Sequence, residues 1–136
     1  MRIGVEGLWF DAAHYTLEAG SKCMNLHGHT FRVDAVVEGP LDEETGMVID
    51  FAIVKKALRE VLEEWDHSLI VPRRHLAGVK LQGPFTVKIK PIDYPHGTTE
   101  YIALGIAEEL KKRLGEPYKV RVRVYEGVGK FAEAEA

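Results

Sequence analysis

The stretch Thr30-Phe31-Arg32-Val33-Asp34-Ala35-Val36-Val37-Glu38 alternates polar and apolar side chains, with Phe31, Val33, Ala35 and Val37 on one parity. Side chains along a strand point to opposite faces in turn, so this segment predicts a strand with one face turned to a core. Two flanking segments repeat the pattern. Residues 2–10 alternate around Ile3, Val5 and Trp9, and residues 118–126 alternate Val120, Val122 and Val124 with Lys119, Arg121 and Arg123. Asp50 has the chemistry of a helix N-cap, and Phe51, Val54, Leu58, Val61, Leu62 and Trp65 follow at helical spacing. A second helix is expected over Thr99–Leu114, with Ile102, Ile106, Leu110 and Leu114 on its apolar face. Thr98 or Thr99 can cap its start, Gly115 suits its end, and Lys111, Lys112 and Arg113 sit where the helix dipole favours cations. Residues 79–90 read as an extra hairpin around Gln82-Gly83-Pro84, and the tail from Phe131 to Ala136 is expected to fray. Strands outnumber helices in the order ββ–α–(ββ)–α–β and are not regularly interleaved with them. That order predicts an α+β fold built on an antiparallel sheet.

Composition narrows the function. The chain has 136 residues, 46% hydrophobic and 29% charged, enough apolar material for a packed core. No Pro/Gly/Ser linker divides it, so residues 1–136 are expected to form a single domain. A net charge of −3 offers no basic surface for nucleic acid. No run approaches the ~18 apolar residues that span a bilayer, so no membrane partner is expected. Met1-Arg2-Ile3-Gly4-Val5-Glu6 lacks the apolar core of a secretory signal, which makes the cytoplasm the expected location. The single cysteine, Cys23, excludes an internal disulfide. One Asn and one Gln among many Glu and Lys give a composition that leans towards a thermophile.

The residues with chemistry cluster in Cys23-Met24-Asn25-Leu26-His27-Gly28-His29. His27 and His29 are two apart, so on a strand both imidazoles share a face, the face of Phe31 and Val33. The same spacing also suits an exposed or hydrogen-bonded pair. His14 follows the first strand, and a hairpin of the first two strands would bring it close. Three imidazoles suit Zn²⁺ and leave a fourth position for water or substrate. Cys23 itself can be read as a ligand, a buried thiol or a reactive thiolate. Asp66-His67 follows the first helix; the carboxylate can orient the ring as a proton donor, or the histidine can simply satisfy the helix dipole. Glu126 continues the parity of Val120, Val122 and Val124, and a carboxylate ending an apolar face needs a partner. The edge of a guanine or pterin ring, with its N–H and NH₂, is one such partner, and solvent is the other. Thr98-Thr99-Glu100 is most economically a helix cap, and His75 and His96 have no partner in the sequence.

Taken together, these pieces resemble the 6-pyruvoyl-tetrahydropterin and 6-carboxy-tetrahydropterin synthase family. The matching segments are Phe10-Asp11-Ala12-Ala13-His14, Cys23 with His27-Gly28-His29, Gly46-Met47-Val48-Ile49-Asp50-Phe51, Asp66-His67, Thr98-Thr99-Glu100 and Glu126, in the family's order. The resemblance implies a four-stranded antiparallel sheet with two helices on one face, the tunnelling fold, to which the hairpin would be an addition. It implies edge-to-edge trimers stacked as a hexamer, with active sites between subunits. It implies zinc on His14, His27 and His29, Cys23 as a thiolate base, Asp66 and His67 as a proton relay, and Glu126 with Thr98 and Thr99 around the pterin. The implied substrate is 7,8-dihydroneopterin triphosphate, and the enzyme a lyase. Three residues separate Cys23 from His27, a short gap that resembles the 6-carboxy branch, on the way to the 7-deazaguanine nucleosides queuosine and archaeosine. The chain departs from compact members in the length of residues 68–97 and in Tyr101, where the family often has Asn.

Overall fold

The protein is described by a computed structural model covering residues 1–18 and 20–136. Its elements are β1 (Arg2–His14), β2 (His27–Glu38), α1 (Phe51–Trp65), β3 (Ser68–Pro72), β4 (Ile89–Ile92), α2 (Thr99–Leu114), β5 (Lys119–Glu126) and β6 (Phe131–Glu135), with short 3₁₀ turns at Lys22–Met24 and Arg73–Gly78. They form one six-stranded sheet in the order β4-β3-β1-β2-β5-β6. The pairs β1–β2, β2–β5 and β5–β6 are antiparallel, whereas β1–β3 and β3–β4 are parallel.

The alternation in β2 and β5 does what period two requires. Phe31, Val33, Ala35 and Val37 face Val120, Val122 and Val124 across the ladder and are all buried. Both helices cover that same face, with Val54, Leu58 and Trp65 from α1 and Ile102, Ile106 and Leu110 from α2. Phe10 and Phe31 stack at 5.0 Å between ring centroids beneath Trp65, and fully burying such side chains is worth ~1.5–3 kcal/mol each. Asp50 caps α1 through its side chain, accepting from the Ala52 N–H at 2.7 Å. Gly115 ends α2 at φ +72°, a conformation that costs glycine little.

Four expectations are corrected. The sheet is mixed and six-stranded, not antiparallel and four-stranded. The added strand β3 is buried throughout, an unbroken apolar run of the kind parallel strands show, and period-two reading does not register it. Residues 79–90 form no hairpin: only Ile89–Ile92 make a strand, parallel to β3. Leu81, Phe85 and Val87 remain exposed, so no apolar face is buried there, and a lone hairpin without one is marginal. The tail does not fray but forms β6, its alternating Ala132 and Ala134 packed on the core.

The fourth correction lies in β1. A bulge between Val5 and Leu8, with Gly7 at φ +77°, inserts a residue and reverses the parity. Leu8, Phe10, Ala12 and His14 therefore face inward, and Trp9, expected with Ile3 and Val5, is 63% exposed. The Gly7 N–H donates to Asp34 Oδ1 at 2.9 Å, tying the bulge to β2.

Candidate metal centre and adjoining cleft

The bulge decides where His14 points. As the last residue of β1 it pairs with His27, the first of β2, and Ala12 pairs with His29. Three imidazoles thus meet on the helix-covered face, with ring centroids 4.6 Å (His14–His27), 4.9 Å (His27–His29) and 5.1 Å (His14–His29) apart. Glu126 joins them from the end of β5, where it pairs with Phe31. One donor atom from each of His14, His27, His29 and Glu126 falls within 4.8 Å of the others.

Backbone carbonyls orient two of the rings. His14 Nδ1 lies 2.7 Å from the Gly97 carbonyl, and His27 Nδ1 lies 2.6 Å from that of Asn25. A carbonyl only accepts, so each Nδ1 carries the proton and each Nε2 presents a lone pair. His14 Nε2 and His29 Nε2 are buried and make no well-directed hydrogen bond among the described residues, although a Glu126 carboxylate oxygen lies near both. Buried ring nitrogens without such a bond are uncommon, and a metal ion accounts for both. Three imidazoles and a carboxylate are a donor set that zinc accepts, so the residues fit that ion.

Glu126 is held at both oxygens. Oε2 accepts from the Thr99 hydroxyl at 2.6 Å, and Oε1 lies 2.7 Å from His29 Nε2 and 3.7 Å from His14 Nε2. Thr99 is therefore not spent on a side-chain cap, and Thr98, which occupies the N-cap, makes no side-chain cap bond either. Burial pushes the Glu126 carboxyl up, but the Thr99 hydroxyl, His29, His14 and Lys130 together bring it below the ordinary range. Burial pushes His14 and His29 down, and the Gly97 carbonyl and Glu126 only partly offset this.

These shifts set a pH dependence. A histidine with a lowered pKa in the folded state binds fewer protons there than in the unfolded chain, so its contribution to stability is complete above about 6.5 and is lost as pH falls. The metal-free protein is expected to lose thermal stability between pH 7 and pH 5, and the metal-loaded protein to release its metal over the same interval as the imidazoles protonate. Melting curves and metal content after gel filtration at each pH test this; a Tm flat across that range would contradict it.

Cys23 lies in the 3₁₀ turn Lys22–Met24, its backbone carbonyl accepting from Thr16 N–H at 2.8 Å and its N–H donating to Ser21 Oγ at 3.1 Å. It is half-buried and lines a cleft of about 250 Å³ together with His14, Thr98, Thr99, Glu126 and Lys130. Cys23 does not belong to the donor group. Lys130 escaped the sequence reading. Its signal is Glu126-Gly127-Val128-Gly129-Lys130, a turn with both glycines at positive φ that folds β6 back and returns Lys130 to the cleft.

Asp66 and His67 pair as expected but do not line that cleft. His67 Nδ1 is 2.9 Å from Asp66 Oδ2, Asp66 Oδ1 accepts from the Asp11 N–H at 2.9 Å, and the His67 N–H donates to the Asp11 carbonyl at 2.6 Å. His67 is the one non-glycine at positive φ among the described residues, at +54°, a conformation that persists when its surroundings impose it. Partial burial raises the Asp66 carboxyl, yet the Asp11 N–H and His67 bring it below its usual value. The His67 side chain is 78% exposed and borders a separate, open cleft with His29 and Thr30.

A family profile described as 6-pyruvoyl tetrahydropterin synthase matches residues 3–136. The 6-carboxy-5,6,7,8-tetrahydropterin synthase of Aquifex aeolicus is 34% identical over 123 residues, covering 83% of this chain and 75% of its own. A dihydroneopterin monophosphate aldolase of Pyrococcus furiosus is 38% identical over 120 residues, covering 87% and 83%. Among solved structures, 6-pyruvoyl tetrahydropterin synthase of Plasmodium vivax superposes with a TM-score of 0.81 at 24% identity, covering 100% of this chain and 97% of the other, which shows a common fold. No described helix is long and apolar enough to cross a membrane.

Proposed function

The chain belongs to the 6-pyruvoyl tetrahydropterin synthase family, whose enzymes act on pterins, and on that premise we propose that it converts 7,8-dihydroneopterin triphosphate to 6-carboxy-5,6,7,8-tetrahydropterin, releasing acetaldehyde and triphosphate. The observation that carries this is the meeting of three imidazoles with a cleft that holds both a thiol and an anchored carboxylate. The short Cys23–His27 spacing and the likeness to the A. aeolicus enzyme support the carboxy branch.

Zn²⁺ on His14, His27 and His29 would act as a Lewis acid, acidifying the hydroxyls and adjacent C–H bonds of the substrate side chain. The chain's own residues do the rest. Glu126, with both oxygens turned toward polar neighbours, has the acceptor pair that the N–H and NH₂ edge of a pterin requires, and Thr99 fixes its plane. Cys23, on the wall of the same cleft, removes a proton from the side chain as thiolate. His67, oriented by Asp66, carries protons in the opposite sense. Within one chain that relay does not line the Cys23 cleft. The cleft is bordered by Phe131 and Ala132 of β6, one edge of the sheet, while His67 immediately precedes β3, beside the other edge strand. Edge-to-edge trimers, stacked as hexamers, would carry the relay of one subunit to the thiol of the next and cover both edges.

The P. furiosus relative motivates a second reading, in which the side chain is cleaved by an aldol route to leave a 6-hydroxymethyl group. The pyruvoyl reaction, elimination without cleavage, is the third outcome. Incubating zinc-loaded protein with dihydroneopterin triphosphate and resolving the products by mass spectrometry separates them. A 6-carboxy pterin with acetaldehyde is expected. A 6-hydroxymethyl or 6-pyruvoyl product moves the assignment to the corresponding alternative, and no pterin product from either the triphosphate or the monophosphate overturns it.

A further inference from the structure

We propose that Lys88 is a positioning residue for His67. Its ammonium occupies the helix-end carbonyl that would otherwise reclaim the His67 N–H, and so keeps the ring where the proton relay needs it. The catalytic half of this rests on the relay reading above; the conformational half does not.

His67 stands between two possible partners. If α1 ran on through it, the His67 N–H would donate to the Glu63 carbonyl, four residues back. It donates instead to the Asp11 carbonyl at 2.6 Å, and the residue adopts φ +54°. Left-handed backbone is unfavourable for a residue other than glycine and persists only where its surroundings impose it. Packing of the ring does not impose it, since the side chain is 78% exposed and bonds to the adjacent Asp66.

The exit of His67 leaves the last carbonyls of α1 in need of donors. Ser68 Oγ donates to the Trp65 carbonyl at 2.6 Å. Lys88 Nζ donates to the Glu63 carbonyl at 2.5 Å and to the Asp66 carbonyl at 2.9 Å. The first of these is the acceptor that His67 gave up. A cation at that point also suits the negative end of the helix dipole. Lys88 holds the far side as well, because its own carbonyl accepts from the Leu69 N–H at 2.8 Å. Residues 67 and 68 therefore lie between two attachments to Lys88, while Asp11 grips the pair through Asp66 Oδ1 and the His67 N–H.

Without the ammonium, the Glu63 carbonyl competes with Asp11 for the His67 N–H, and the right-handed backbone it offers is the easier one. Turning His67 into the helix would swing the ring out of the open cleft that it borders with His29 and Thr30. Lys90 provides a control. It is two residues on, and its Nζ lies 2.7 Å from Glu109, 3.2 Å from Glu64 and 4.8 Å above the Trp65 ring. It braces α1 against α2 through side chains, whereas Lys88 acts on the backbone around His67.

Turnover of dihydroneopterin triphosphate by the zinc-loaded, full-length protein tests the catalytic half. Lys88→Met is expected to lower kcat roughly 10- to 100-fold, the cost of a slightly misplaced catalytic group, with KM within about twofold of wild type. Lys88→Arg, which keeps a cation able to reach both carbonyls, is expected to recover most of the loss. Added to His67→Gln, Lys88→Met should change kcat by less than about twofold, because it acts through that ring. Lys90→Met should lower Tm more and kcat less, since it strips a partner from a half-buried ion pair. Unchanged kcat in Lys88→Met, a full further loss in the His67→Gln background, or an equal kcat loss in Lys90→Met would each overturn the positioning role. A crystal structure of Lys88→Met tests the conformational half, with His67 expected at negative φ and its N–H turned to Glu63. If the wild type does not turn over, or His67→Gln keeps wild-type turnover, the relay reading fails and the catalytic half with it. The crystal structure still decides the rest, and His67 unmoved in Lys88→Met overturns it.

Discussion

Replacing Cys23 by alanine is expected to lower product formation by roughly 10³-fold, within the range that a positioned acid–base group contributes, while zinc content and unfolding behaviour stay as in the wild type. The residue lines the cleft that holds His14, Thr99 and Glu126, yet it lies outside the group of donor atoms. Its two local hydrogen bonds run through its backbone N–H and carbonyl, so truncating the side chain leaves the turn intact. The experiment separates the three roles open to a lone thiol. A base gives lost activity with retained zinc, a ligand gives lost zinc, and an inert thiol gives neither. Activity within a few-fold of wild type would remove Cys23 from the mechanism.

The second large effect is expected at His14. His14→Ala should abolish stoichiometric zinc binding and also lower stability by about 2–4 kcal/mol, because it leaves both a cavity and a carbonyl without its donor. The side chain is 1% exposed, and its Nδ1 donates to the Gly97 carbonyl, tying the end of β1 to the segment before α2. His27→Ala is the useful contrast. That ring is partly exposed and bonds locally to Asn25, so its loss should remove zinc with little effect on the stability of the metal-free fold. Metal analysis and urea unfolding of the metal-free forms check both. Stoichiometric zinc in either variant would mean that the three imidazoles do not act as a set.

The contrast between His14 and His27 also marks how far the chain could be read without coordinates. The shared face of His27, His29, Phe31 and Val33 follows from period two, and it holds because β2 runs unbroken between two antiparallel partners. The same rule failed on β1, where the bulge at Gly7 reverses the parity and turns Trp9 out and His14 in. A bulge is stabilised by a partner strand, here through Asp34, twenty-seven residues away, and no local pattern announces it. The Asp66–His67 pair was legible from adjacency alone, but its separation from the Cys23 cleft was not.

Local chemistry therefore determined the amphipathic strands β2 and β5, both helices with their Asp50 and Gly115 ends, and the identity of the imidazoles, thiol and carboxylates, since each depends on neighbours within a turn or a pleat. Tertiary structure decided the rest. The buried strand β3 and its parallel partner β4, the tail that became β6, and Glu126 drawn between Thr99 and the histidines all depend on groups far apart in the chain. Such contacts are chosen by competition among many distant partners for one buried surface, and only the folded chain resolves that competition.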